Sequence, residues 1–160
     1  MARGGTPALV ALDKAGVTHR VHEFEADPAQ RGFGQAAAEA LGVDARRVFK
    51  TLIATVDDDR HVVGIVPVSG QLSLKELAVA VGAKRAEMCP PDAAERLTGY
   101  VVGGISPFGQ KRSLPVVIDE TCVLFDTIFV SGGRRGLDIE IAPADLVAVL
   151  SAVIAPIGVE

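Results

Sequence analysis

Val48-Phe49-Lys50-Thr51-Leu52-Ile53-Ala54-Thr55-Val56, then Asp57-Asp58-Asp59, then His61-Val62-Val63-Gly64-Ile65-Val66-Pro67-Val68 form the stretch from which the architecture can be read. Both flanking runs are rich in β-branched residues, and the acidic triplet between them suits a short solvated turn, so an antiparallel hairpin is the simplest pairing. Period-2 alternation sets Val48, Lys50, Leu52, Ala54 and Val56 on one face of the first strand and Phe49, Thr51, Ile53 and Thr55 on the other. Pro67 has no N–H to give a ladder and marks an edge or a strand end. Lys50 is the one cation in an apolar set. Its ammonium sits at a strand end, reaches solvent, or is held in a pocket, where it could polarise a carbonyl, hold a phosphate or form a Schiff base.

Working outward, the N-terminal side predicts a helix from Thr6-Pro7, an N-cap followed by proline at the first helical position, stopping at Gly16. Val17 to Glu25 predicts a strand ending at the turn Asp27-Pro28; Arg31 to Gln35 reads as loop, Ala36 to Leu41 as helix closed by Gly42, and Asp44 to Arg46 as a short helix or turn. Beyond the hairpin, Ser73-Leu74-Lys75-Glu76 is a capping box opening a helix that stops at Gly82. Ala83 to Cys89 reads as a strand, and Pro90-Pro91-Asp92 starts a helix with Asp92 as its N-cap, ending by Gly99. Pro115 to Asp119, Val123 to Phe125, Ile128 to Ser131 and Asp138 to Ile141 are short strand candidates, and Pro143 opens a last helix extending toward Pro156. Strands grouped in runs, without regular βαβ alternation, predict an α+β domain around a mostly antiparallel, curved sheet.

Composition narrows the class. A chain of 160 residues suits one domain, residues 1–160, and can bury roughly 70% of its extended surface. Hydrophobic residues make up 49% and aromatic ones only 4%, so the core must come from aliphatic side chains, and general disorder is excluded. Cys89 and Cys122 are too few for a disulfide scaffold and lack the spacing of a redox or zinc motif, which points to the reducing cytoplasm. The N-terminus has no signal-peptide core, and no apolar run is long enough to span a membrane, so a soluble protein is expected. A net charge of −4 argues against coating nucleic acid by bulk electrostatics, although four basic clusters could form a local face. They are Arg46, Arg47 and Lys50, Lys84 and Arg85, Lys111 and Arg112, and Arg134 and Arg135.

Familiar catalytic sets are missing. There is no G-x-S-x-G elbow, Walker A sequence or H-E-x-x-H, and the three histidines are not spaced as metal ligands, so no metal or cofactor is expected. Cys122, in a strand-like run, reads as core. The stretch from Gly99 to Val117 carries Gly103, Gly104, Ser106, Pro107 and Gly109, and is either a long hairpin connection or a loop that brings backbone close to a ligand. Ser131-Gly132-Gly133-Arg134-Arg135-Gly136 is a second such loop. Consecutive N–H groups in loops of this kind can point at an oxyanion or phosphate.

Phe49-Lys50-Thr51-Leu52, Gly99 to Lys111, Ser131 to Gly136 and Glu140-Ile141-Ala142-Pro143 together resemble the YbaK-type aminoacyl-tRNA deacylases, most nearly the stand-alone Cys-tRNA(Pro) deacylases, in the same order over nearly the whole chain. The resemblance implies a distorted β-barrel-like sheet flanked by helices and a trans-editing hydrolase that cleaves the aminoacyl ester of mischarged tRNA without a metal. It further implies that the substrate's own thiol assists the reaction. Lys50 matches the essential lysine of that family; Phe24, Gly103, Gly104, Ile105, Ser106, Pro107, Ser131, Gly132 and Gly133 are the expected substrate-binding residues, and Lys111, Arg112, Arg134 and Arg135 the expected tRNA contacts. The expected partners are the acceptor end of the tRNA for proline and prolyl-tRNA synthetase. Phe24 stands where the family often has a tyrosine. A related deacylase for alanine or serine, and a non-catalytic module binding a tRNA end or a synthetase, are the alternatives.

Overall fold

The hairpin forms as the alternation requires. In the computed structural model, which describes residues 5–25, 33–57 and 59–160, β2 (Phe49–Val56) pairs antiparallel with β3 (Arg60–Pro67), in register from Phe49↔Pro67 to Val56↔Arg60. The Asp27-Pro28 turn and Arg31 lie outside the described residues, as does Asp58 in the hairpin turn. Preceding the hairpin are α1 (Pro7–Ala15), β1 (His19–Glu23) and α2 (Phe33–Leu41). Following it come β4 (Gln71–Leu72), α3 (Leu74–Ala80), β5 (Ala86–Met88), α4 (Pro91–Thr98), β6 (Val116–Asp119), β7 (Ile128–Arg134), β8 (Leu137–Ile141), α5 (Pro143–Leu150), β9 (Val153–Ala155) and β10 (Gly158–Val159).

The strands form a five-stranded sheet in the order β5-β2-β3-β6-β9, a three-stranded sheet β1-β8-β7, and the pair β10-β4. Five of the seven pairings among the described residues are antiparallel; β6 runs parallel to both β3 and β9. The two larger sheets meet where Val48 bridges Phe129, giving an open, barrel-like α+β structure. Because β3 lies inside its sheet, Pro67 marks a strand end.

The two faces of β2 enter different cores. Phe49 and Ile53 join Leu12, Phe108, Ile118 and Ile139, whereas Ala54 and Val56 join Val62, Val66, Leu77 and Ile157. Val48 belongs to a third cluster with Ala37, Ala38, Val68 and Phe129. Cys122 is fully buried, and desolvation pushes its thiol up to about 11, as a core residue requires. Among the described residues no helix is long and apolar enough to cross a membrane.

Local capping explains most boundaries. Thr6 accepts from Leu9 N and Ser73 from Glu76 N, while Gly16, Gly42, Gly82 and Gly99 all take the left-handed conformation that ends or follows a helix. Several expectations are corrected. Pro90, not Asp92, is the N-cap of α4, because a residue before proline is driven to extended backbone and Pro91 then becomes the first helical residue. Val123 to Phe125 is no strand: the Asp119 carboxylate accepts from Thr121 N and starts a 3-10 helix over Glu120–Leu124. The last helix stops at Leu150, where Ser151 turns left-handed (φ 52°), and Val153 enters β9 beside β6. α2 starts at Phe33, ahead of the expected Ala36. Ser131 to Gly136 is not a free loop either, since β7 continues to Arg134 through a register break between Ser131 and Arg134, with Gly133 at φ 112° supplying the bulge.

Candidate functional site

β2 has one edge that is only partly covered. Val68 N donates to Val48 O, so by antiparallel alternation Val48, Lys50 and Leu52 direct their main-chain groups to β3, whereas Phe49, Thr51 and Ile53 direct theirs to the opposite edge. On that edge β5 pairs only with Ala54 to Val56, Cys89 N reaches Ile53 O, and β7 meets the strand only at Val48. The main chain at Thr51 is therefore left without a ladder partner among the described residues. A cavity of about 680 Å³ opens there.

Lys50 and Thr51 from β2, Ser131 from β7 and Asp138 from β8 all line this cavity. Gly34 to Ala37 of α2, with Phe24, line it as well, as do Met88, Cys89 and Pro91 around the end of β5. Lys50 is half-buried, and desolvation lowers its pKa below that of an ordinary lysine; it makes no ion pair or hydrogen bond among the described residues. Asp138 is 6% exposed, with no neutralising cation beside it, and burial raises its carboxyl to about 7. The Thr51 hydroxyl is buried with no partner. Three polar groups with unfilled bonding capacity thus share one mostly apolar cavity, which is an expensive arrangement unless a ligand completes it.

The 3-10 turn before β2, Ala45–Arg47, is tied to the second sheet. Arg47 donates to the Thr127 carbonyl (3.1 Å) and hydroxyl (2.7 Å) and lies over the Phe129 ring at 5.1 Å. Glu140 accepts from the Thr127 hydroxyl at 2.6 Å and bonds His22 Nε2 at 2.9 Å. This network fixes the chain three residues before Lys50.

The two glycine-rich segments support each other. A Cβ on Gly104 would stand 2.6 Å from Arg134 Cα, and one on Gly133 would stand 2.9 Å from Thr6 Cβ and 3.0 Å from the Tyr100 ring. Only glycine permits the approach of the Gly104 and Arg134 backbones, and at Gly133 an added Cβ would meet the side chains of Thr6 and Tyr100. The Thr6 hydroxyl donates to Gly132 O, adding α1 to the junction.

Of the residues singled out in the sequence, Lys50, Phe24, Gly103, Ile105, Ser131, Arg134 and Arg135 line the cavity. Gly104, Gly132 and Gly133 form the junction behind it, and Ser106 and Pro107 are buried, with Ser106 Oγ accepting from Phe108 N. Lys111 and Arg112 are exposed and lie outside the lining; their amides donate to Thr98 O and Leu97 O at the end of α4. Within the loop, Gly104 N is spent on Val101 O and Val102 N on the Glu95 carboxylate, whereas the amides of Gly103 and Ile105 have no acceptor among the described residues. Asp138, Thr51 and the α2 wall were not singled out in the sequence. In the sequence Asp138 stands only as one of two acids alternating with Leu137, Ile139 and Ile141, and its pairing opposite Ser131 is a finding of the structure. Among the described residues no cluster of three His, Cys, Asp or Glu side chains is placed to hold a metal ion.

Residues 28–149 match the aminoacyl-tRNA editing domain family. A protein of Enterococcus faecalis named as a Cys-tRNA(Pro)/Cys-tRNA(Cys) deacylase, EbsC, is 36% identical over 138 residues, covering 86% of this chain and 84% of its own. The multifunctional Ser/Thr-tRNA deacylase ProXp-y of Escherichia coli is 29% identical over 152 residues, covering 91% and 89%. A proline–tRNA ligase of Shouchella clausii is 33% identical over 121 residues, which are 74% of this chain and 20% of the ligase. A crystal structure described as a trans-editing enzyme for prolyl tRNA synthetase superposes with a TM-score of 0.86 over 100% of this chain and 99% of its own, at 22% identity, and so shows the shared fold.

Proposed function

The chain belongs to the aminoacyl-tRNA editing domain family, and from that premise we propose that its cavity hydrolyses the ester joining cysteine to the 3′ end of tRNA for proline. The observation that carries this reading is that Lys50 of β2, without an ion pair or hydrogen bond among the described residues, lines the same cavity as Gly103 and Ile105.

An aminoacyl ester needs its carbonyl oxygen stabilised as charge develops, and one preorganised donor is worth roughly 2.7–4 kcal/mol. The uncommitted amides of Gly103 and Ile105 are the donors in this reading, Gly104 N being spent on Val101 O. Lys50 holds the terminal nucleotide electrostatically and is not the nucleophile. The cysteinyl thiol attacks its own ester carbon; the carbon–oxygen bond to the ribose breaks, and the thiol proton ends on the ribose oxygen. The resulting thiolactone is opened by water. Asp138, with a carboxyl at about 7, is suited to carry that proton near neutral pH.

Arg134 and Arg135 line the mouth and take the phosphates, while Lys111 and Arg112 meet tRNA further out. With a net charge of −4 the protein has little bulk attraction for tRNA, so prolyl-tRNA synthetase, a relative of which shares this domain, is the partner that supplies the rest of the grip. The whole chain, 1–160, acts in this reading as one editing unit in the cytoplasm.

The likeness to the Ser/Thr-tRNA deacylase favours a second specificity. A panel of tRNAs charged with cysteine, serine, threonine or alanine separates the two. Fastest release of cysteine supports the first reading, and serine or threonine released with cysteine left intact overturns it.

A further inference from the structure

Beyond the wall formed by Val102, Arg134 and Arg135 lies a second depression, of about 230 Å³. These three residues line both it and the main cavity. Its remaining walls are Pro7 at the start of α1, Gly99 to Val101, Gly104 and Gly133. The wall between the two is thin at the glycine junction, because Gly104 meets Arg134 backbone to backbone.

The depression is both cationic and apolar. Arg134 and Arg135 are exposed, and Val101 and Val102 stand 69% and 38% exposed beside them. The Arg134 guanidinium lies 2.9 Å from the Glu23 carboxylate, and both side chains are more than half exposed (53% and 66%). Water screens such a pair, and a phosphate can take the place of Glu23. The Glu95 carboxylate accepts from the Val102 amide, and Glu25 lines the main cavity with Arg134 and Arg135. Cations that track a phosphodiester, beside apolar side chains that cover a base, are what a single-stranded nucleotide requires.

We propose that this depression holds the nucleotide immediately preceding the terminal one in the single-stranded 3′ end of tRNA, with Arg134 and Arg135 on the connecting phosphate and Val101 against the base. The inference rests on the assignment of the main cavity to the terminal aminoacyl nucleoside. A substrate seated there by its terminal ribose leaves through its 5′ phosphate, and the arginine wall that borders the main cavity also borders the second depression.

Val101 touches the second depression and not the main cavity, and its exposure lets a charged side chain replace it without disturbing the core. The test compares Val101→Glu and Val101→Lys with the unaltered protein on two substrates, cysteinyl-adenosine and cysteinyl-cytidyl-cytidyl-adenosine. Val101→Glu is expected to lower kcat/KM on the trinucleotide about tenfold and Val101→Lys to raise it, with cysteinyl-adenosine moving less than about twofold in either. Equal shifts on both substrates, or none on the trinucleotide, overturn the assignment while leaving the deacylase reading intact. An unaltered protein that hydrolyses neither substrate overturns that reading and this assignment with it.

Discussion

Asp138 concentrates the physical tension of the cavity. Its carboxyl is raised from 3.8 to about 7, with desolvation as the cause, so between those values the native state keeps a proton that the unfolded chain has lost. Stability therefore falls as pH rises through this window, by up to about 4 kcal/mol in all, and is fully present only below the unfolded value. Asp138→Asn removes the effect: in denaturant melts its stability advantage over the unaltered protein is expected to widen between pH 5 and pH 8, and a constant gap would contradict the burial argument. Thr51 makes a complementary case. Its buried hydroxyl lacks a partner, so Thr51→Val is expected to melt no lower than the unaltered protein, yet to lose about tenfold in kcat/KM if substrate supplies the missing bond. Lys50 was legible in the sequence because a cation interrupts an apolar period. Asp138 was not, because Asp138 and Glu140 alternate like a solvated face, and only the packing around the β1-β8-β7 sheet reveals that one of them is buried.

Among the elements, the junction of the two glycine segments has the least tolerance. Gly104→Ala would bring a Cβ against the Arg134 backbone, which cannot yield as a flexible side chain would, and the backbone angle there gives no separate reason for glycine. The expected result is a lower Tm together with lost deacylation; a variant that keeps both shows that the loops have room to part. The α1 and α3 helices and the β2–β3 hairpin were legible because their signals are local: Thr6-Pro7, the Ser73 capping box, the acidic turn. β9 was not, since Val153 to Ala155 are as compatible with the end of a helix as with a strand until β6 offers a parallel partner. The Val123 to Phe125 run misleads for a related reason, its apolar, strand-like character being overruled by the cap at Asp119. The Ser131 bulge was read as a loop because glycine pairs mark both.

Over the whole molecule, the cavity exists because two sheets touch at Val48 and Phe129 without closing, leaving the middle of β2 uncovered. The resemblance implied a distorted, mostly antiparallel barrel-like sheet flanked by helices, whereas the strand order and the single bridge between two sheets are findings of the structure. The acidic balance of −4 also acts at this scale, and in the proposed reading it confines attraction for tRNA to the local arginine wall. Deacylation of full-length tRNA is accordingly expected to weaken only shallowly with added salt, and to be stimulated by prolyl-tRNA synthetase; a steep salt slope with no effect of the synthetase would place the grip on this chain alone. The central claim is the proposal that deacylation in this cavity depends on Lys50 to hold the substrate. Released cysteine should be followed from labelled Cys-tRNA(Pro) with the unaltered protein and with Lys50→Ala, whose fold is checked by its melting curve. The account predicts rapid release by the first and none above background by a folded second; equal rates from the two would contradict it.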